Sequence, residues 1–264
     1  MGMDRREFLK LAGITTIAGL GGMTASTALR KGLGEASQVS PDPRALVGKR
    51  WAMVINMSKF KTDEDHAKVI NACHSIHNVP NIGEPRHEIK WIWKETYEHA
   101  FPGQEHEYIE EGVKHKPFIL LCNHCDNPPC VRVCPTKATF KRSDGLVMQD
   151  MHRCIGCRFC MAGCPFGVRS FNFYDPRQFM TKENREYPTR TKGVVEKCTF
   201  CFERLAVGLK PACAEASNGA MVFGDLKDPK SEVRELLRTN YTIRRKPELG
   251  TQPSVFYIVG GENA

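Results

Sequence analysis

Cys154-x2-Cys157-x2-Cys160-x3-Cys164-Pro165 spaces four thiols as an iron–sulfur site does. Three thiolates on so tight a loop cap one face of a cubane, and the fourth, on the helix that follows, points away to a neighbouring cluster. Pro165 holds the chain at its exit, because proline restricts the backbone of the residue before it. Cys122-x2-Cys125-x4-Cys130-x3-Cys134-Pro135 is the same device with two residues added before the third ligand. The reciprocal rule puts Cys122, Cys125, Cys130 and Cys164 on one 4Fe–4S cluster. Cys154, Cys157, Cys160 and Cys134 then hold a second.

Four of the twelve cysteines remain: Cys73, Cys198, Cys201 and Cys213. Cys198-x2-Cys201-x11-Cys213 is a third triplet, and its fourth member would fall at Ser217, which is followed by Asn218 rather than proline. Cys73 stands alone in Ala72-Cys73-His74-Ser75-Ile76-His77-Asn78-Val79-Pro80, the tail of a run whose other cysteines are missing. Counting back puts those positions at Asp63, His66 and Val69; counting forward from the apolar segment 51–57 puts them at Lys61, Glu64 and Ala67. A fourth cluster would need both absent halves, whereas a third needs Cys73, Cys198, Cys201 and Cys213, and all are present. The twelve cysteines therefore make three complete sites with none left over.

Rival uses of these thiols fit poorly. Zinc prefers separated pairs around one tetrahedron, neighbours two residues apart rarely reach disulfide geometry, and the haem motif Cys-x-x-Cys-His does not occur. Nor does the chain carry a nucleophile elbow, a phosphate-binding glycine loop or a dinucleotide fingerprint. The chemistry indicated is electron transfer, not catalysis on a substrate. The formal charge of +8 is no nucleic-acid footprint on this reading. Three oxidised cubanes with their thiolates add roughly −6, leaving the holoprotein near neutral once bound charge is counted. Arg132, Lys137, Lys141, Arg142, Arg153 and Arg158, lying among the ligands, are read as offsetting that charge.

The segment 122–173, CNHCDNPPCVRVCPTKATFKRSDGLVMQDMHRCIGCRFCMAGCPFGVRSFNF, resembles the multi-cluster ferredoxin-like subunits of extracytoplasmic membrane oxidoreductases. Among these are the electron-transfer subunits of polysulfide, tetrathionate and dimethyl-sulfoxide reductases and of a periplasmic hydrogenase. The resemblance runs from about Trp51 through Glu196-Lys197-Cys198-Thr199-Phe200-Cys201 and 219–225 to 248–257. It implies a relay of single electrons between an integral membrane quinone-interacting subunit and a redox partner. Members usually carry four clusters in line, and the one next to a molybdopterin subunit, where there is one, is built from the first triplet and the last cysteine. That cluster is missing here. The departure favours a member whose partner is a multihaem cytochrome c, in sulfur metabolism, over the alternatives of a molybdopterin or hydrogenase-type reductase. A self-contained iron–sulfur enzyme or sensor would need an open iron position, and the cysteine count leaves none.

The elements that must position these thiols form a duplicated, loop-rich ferredoxin-like fold of the α+β class, one 4Fe–4S domain inserted in another. Residues 49–114 and 176–228 make the outer domain with one cluster, 115–175 the insert with two, and 229–264 a C-terminal helix and tail. Ala52–Asn56 and Gly145–Gln149 are predicted strands leading into cysteine or former cysteine loops. The alternation Ile89, Trp91, Trp93 favours a strand within 89–99, and the polar run 175–192 reads as a connection. Ser231–Arg238 reads as a helix capped by Ser231, with Glu232 and Glu235 in its first turn and Val233, Leu236 and Leu237 on one face.

Phe159, Phe166, Phe171, Phe173, Phe200 and Phe202 are expected to sheathe the clusters from water. His66 is expected to be solvated rather than a relic ligand, and His124 is a candidate donor to a cluster sulfur. Trp91 and Trp93 are candidates for partner docking or core packing alike. At the N-terminus, 1–30 reads as a twin-arginine export signal: Arg5-Arg6 with Phe8-Leu9-Lys10, then a short apolar stretch and small residues up to a cleavage point after Ala28. The expected location is periplasmic, on the outer face of the cytoplasmic membrane, held through partners or an uncleaved signal.

Overall fold

Trp51 to Asn56 forms β1, a strand that the core encloses on both sides. Trp51, Met53 and Ile55 face the main core, while Ala52 and Val54 face a smaller cluster around Val222, Val233 and Ile258. The computed structural model describes residues 42–259. The segment read as an export signal, 1–30, lies outside the described residues.

Along the chain follow α1 (Asp63–Ile76), β2 (Ile92–Thr96), α2 (Tyr97–Ala100), α3 (Glu111–Lys114) and β3 (Pro117–Leu121). Next come α4 (Pro129–Arg132), β4 (Thr139–Lys141), β5 (Val147–Gln149), α5 (Phe159–Ala162), β6 (Ser170–Phe171) and β7 (Val195–Glu196). The remainder is α6 (Phe202–Leu205), α7 (Ala212–Ala216), β8 (Met221–Asp225), α8 (Glu232–Thr239), β9 (Thr242–Ile243) and β10 (Val255–Ile258). The main sheet runs β8-β1-β10-β9, with β1 antiparallel to β8 and parallel to β10. Three two-stranded ribbons, β2-β3, β4-β5 and β6-β7, carry the cysteine loops around it.

The predicted strands at 52–56 and 145–149 are present, the second shortened to β5 because Gly145, with φ of +86°, makes the turn from β4. The strand expected within 89–99 is β2, and 175–192 is irregular apart from a 3-10 turn at Pro176–Phe179. The predicted helix at 231–238 is α8, with Val233 buried against β1; Ser231 stands at the N-cap position, but its side chain makes no capping hydrogen bond. The tail after it does more than expected: it returns as β9 and β10, and β10 is a central strand of the main sheet. Short sequences of this kind gain strand character only from the partner they pair with.

The longest described helix, α1, was not anticipated. It occupies the stretch where the first triplet would lie. Thr62 Oγ1 accepts from Asp65 N–H and Asp65 Oδ2 accepts from Thr62 N–H, a capping box that satisfies two of the four donors a helix start leaves open. Trp91 and Trp93 are core residues, 0 % and 8 % exposed, so neither is free to dock a partner.

Candidate functional site

Two small cavities each gather four cysteines, and the other four are buried apart from them. Cys122, Cys125, Cys130 and Cys164 line one small, closed, apolar cavity together with Pro128, Pro129, Phe166 and Val168. This is the central site. Cys134, Cys154, Cys157 and Cys160 line a second cavity with Thr139, Gln149 and Val195, the outer site. Cys73, Cys198, Cys201 and Cys213 meet inside the main core as the inner site, close enough that each of the other three thiolates pushes the Cys73 pKa upward. The central site neighbours both of the others: Cys160 feels the charge of Cys130, and Cys198 feels that of Cys122.

One loop geometry recurs. In the first Cys-x-x-Cys of each triplet the residue before the second cysteine is left-handed: His124 at φ +40°, Gly156 at +70° and Phe200 at +56°. Such a turn directs successive backbone N–H groups to one side, a nest suited to an anion. Phe200 N–H donates to Cys198 Sγ, Val195 N–H to Cys154 Sγ and Thr139 N–H to Cys134 Sγ, all at 3.4 Å. Only glycine serves at 156, because a Cβ there would run into the Gly193 carbonyl. Helices supply four of the remaining six thiols, Cys73 from α1, Cys130 from α4, Cys160 from α5 and Cys213 from α7, while Cys134 and Cys164 follow α4 and α5.

Exposure falls from the outer site to the inner one. Cys157 of the outer site is exposed and its neighbours Cys134 and Cys154 are half-buried, whereas all four inner cysteines are buried. Burial, with the charge of adjacent thiols, pushes Cys125 up to about 12, and burial raises Cys213 to about 12. Burial and the neighbouring thiolates also raise Cys73 and Cys201 well above the usual range. Protons alone would keep such thiols neutral, and a bound metal deprotonates them outright. Cys134 moves down instead: its slight burial is outweighed by N–H donation from Thr139 and the Thr136 hydroxyl.

The charge the thiols need is supplied from inside. Arg169, Lys197 and Arg245 are buried at 4 %, 0 % and 4 % exposure and bond neutral oxygens. Arg169 leaves Nε and Nη2 without a partner among the described residues. Buried cations with no carboxylate are strongly unfavourable unless another anion compensates them. N–H donors aimed at sulfur, metal-dependent thiols and uncompensated cations together fit anionic iron–sulfur clusters at these groups.

This corrects the expected source of compensation. Lys141 pairs with Asp126, Arg142 with Asp144 at 2.9 Å and Arg153 with Asp150 at 3.2 Å, so these surface cations are already answered. Arg158 lies over the rings of Phe171 and Phe173. Sequence reasoning missed Arg169 and Lys197, although a single arginine after the otherwise apolar run Phe166-Gly167-Val168 was a usable signal. Of the aromatic sheath, Phe166 and Phe200 are buried as expected, while Phe159 is 58 % exposed and sheathes nothing.

The inner site is braced by a polar cluster that was also missed. His77 Nδ1 donates to the Cys73 carbonyl at 2.8 Å, its Nε2 meets Glu203 Oε1 at 2.8 Å, and its ring stacks on Trp91. The i, i+4 spacing of Cys73 and His77 on one helix was the sign of it. Glu196 accepts from Trp91 Nε1 at 2.6 Å and pairs with Arg190 at 2.7 Å, both members almost fully buried. Arg190 in turn donates to the carbonyls of His77 and Asn78.

His66 is not solvated: it is 3 % exposed, packed at a tilt against Phe60, with Nδ1 on the Thr62 carbonyl at 2.8 Å. The α1 turn and Phe60 cover it. Nor do the other positions of the absent triplet stand ready for a metal, as Asp63 pairs with Lys94 and Val69 is core. The Ser217 hydroxyl donates to Ala214 O and accepts from Met221 N–H. His124 accepts from Val147 N–H at Nδ1, which puts its proton on Nε2, and that nitrogen has no partner among the described residues. Burial, then Lys197, holds this histidine well below its ordinary pKa, in the neutral form.

Residues 113–182 match the family model of the 4Fe-4S dicluster domain. Over 98 % of its length the chain is 40 % identical to the Hdr-like menaquinol oxidoreductase iron-sulfur subunit 1 of Archaeoglobus fulgidus, covering 100 % of that relative. It is 34 % identical to the iron-sulfur cluster-binding subunit of menaquinone reductase from Nitratidesulfovibrio vulgaris, over 79 % of this chain and 88 % of the relative. With the arsenate respiratory reductase iron-sulfur subunit ArrB of a Shewanella species it shares 40 % identity, over 62 % of this chain and 80 % of the relative.

Proposed function

The chain belongs to the family of 4Fe–4S electron-transfer subunits of membrane respiratory complexes, and on that premise we propose that its twelve cysteines hold three clusters in a row. The central site is Cys122, Cys125, Cys130 and Cys164; the outer is Cys134, Cys154, Cys157 and Cys160; the inner is Cys73, Cys198, Cys201 and Cys213. A 4Fe–4S cluster, when bound, supplies reversible one-electron transfer. The protein's part is to space the sites, exclude water and set the local charge. The observation that carries this reading is the convergence of the cysteines into three fours with none left over. The count of three rather than four rests on α1, whose capped first turns take up the positions of the absent triplet.

The row has a wet end at Cys157 and a dry end in the core. On this reading it joins a quinone-interacting membrane subunit to a second redox subunit, a multihaem cytochrome c. Two relatives are named as subunits acting on menaquinol or menaquinone. Within the family this organisation fits DsrO, the exported iron–sulfur subunit of the DsrMKJOP complex. In membrane vesicles carrying the intact complex, a reduced menaquinone analogue is expected to reduce the clusters, or its oxidised form to oxidise them, as followed by EPR. Clusters that exchange no electrons with either form would overturn the assignment.

The same reading places the protein outside the cytoplasm, delivered already folded by the twin-arginine route. Changing Arg5-Arg6 to Lys-Lys is expected to leave it in the cytoplasmic fraction with its iron in place. An unaltered periplasmic or membrane distribution would count against that route.

A further inference from the structure

One charge fills the gap between the central and outer sites. Arg169 Nη1 donates to Gln149 Oε1 at 2.9 Å and to Thr139 Oγ1 at 3.1 Å, and the Thr139 hydroxyl donates to Gln149 Oε1 at 2.6 Å. The guanidinium forms part of the wall of the central cavity, while Thr139 and Gln149, which hold it, line the outer one. It lies against Cys130 on one side and Cys160 on the other, one cysteine from each site. Arginine does not lose its proton in a protein. A guanidinium so buried, with no carboxylate on it among the described residues, needs negative charge beside it, and the Cys130 and Cys160 thiols at the two sites are what the surroundings offer.

Resting on the reading of these cysteines as cluster ligands, we propose that Arg169 is a shared positioning charge, which raises the reduction potentials of the central and outer clusters together and keeps them matched. An electron arriving at either site adds negative charge with no bond made and no proton taken up. The fixed cation stabilises it in both places, and the burial of the guanidinium leaves that attraction less screened than a surface charge would be. Matched potentials let the electron cross this gap in either direction without an energetic step.

Two variants of the full holoprotein test this by redox titration followed by EPR, with iron counted on each sample. Arg169→Met removes the charge and keeps the length. Gln149→Glu leaves Arg169 in place and sets a carboxylate against it. Either is expected to lower the one-electron equilibrium constants of two clusters by about tenfold, or about 59 mV, while the third is unmoved and iron stays at the wild-type level. Arg169→Lys is expected to restore both potentials. Fully loaded variants with unmoved potentials, or with only one cluster shifted, would overturn the shared role. Loss of iron in both variants would make Arg169 an assembly residue and overturn it equally. A wild-type iron count far from about twelve would overturn the cluster reading itself, whatever the variants do.

Discussion

Replacing Cys73 with serine is expected to lower the iron of the anaerobically purified protein from about twelve atoms per chain to about eight, with acid-labile sulfide falling in step, because each cubane holds four. Cys73 is the inner-site thiol that comes from α1, far in sequence from Cys198, Cys201 and Cys213. Its side chain is 3 % exposed and walled by core residues, which shields it from ligands in solvent. The nearest alternative donor, His77, is already held by the Cys73 carbonyl and Glu203. The outer and central clusters should keep their EPR signals, since neither draws on Cys73. About sixteen irons in the unaltered protein would instead reveal a fourth cluster on ligands such as His66 or Asp63. That result would sink the three-site account and restore the molybdopterin-partnered alternative.

The second large effect is on stability. Glu196→Gln is expected to cost about 3–5 kcal/mol, because it leaves the Arg190 guanidinium buried without its counter-charge. Glu196 is 0 % exposed and accepts from Trp91, Asn172 and Arg190 at once. Arg190 ties this carboxylate to the carbonyls that follow α1, so the pair joins β7, Trp91 just before β2, the end of α1 and the connection before β7. The expected reading is a fall of roughly 10 °C in the temperature at which cluster absorbance is lost. Pairing the change with Arg190→Met should recover much of the loss, because the double variant has no stranded charge. A melting temperature unmoved in Glu196→Gln would show that the pair carries no such burden.

Much of the site was legible without coordinates. The three groups of four follow from spacing plus the reciprocal rule, since a loop of two intervening residues cannot carry all four ligands of one cube. α8 was legible because it is amphipathic and starts at a serine. β10 was not, because four apolar residues near a terminus have no meaning until β1 offers an edge to pair with. α1 is hidden for a different reason: its one cysteine gives the stretch the look of a worn cysteine loop, while the signal for a helix is confined to the capping pair Thr62 and Asp65.

Charge was the least legible property. Six basic residues near the cysteines in sequence looked like the compensating set, yet carboxylates on the surface or aromatic faces claim several of them. The compensating cations are Arg169, Lys197 and Arg245, which the fold carries inward from segments remote from most of the thiols they serve. The ligand sets proposed are legible in the sequence alone, because each triplet takes its fourth thiol from another run. Which cations lie between the sites, which end of the row meets water, and what fills the place of the absent cluster were decided only by the tertiary structure. Those properties depend on distances through space, and a linear spacing holds no record of them.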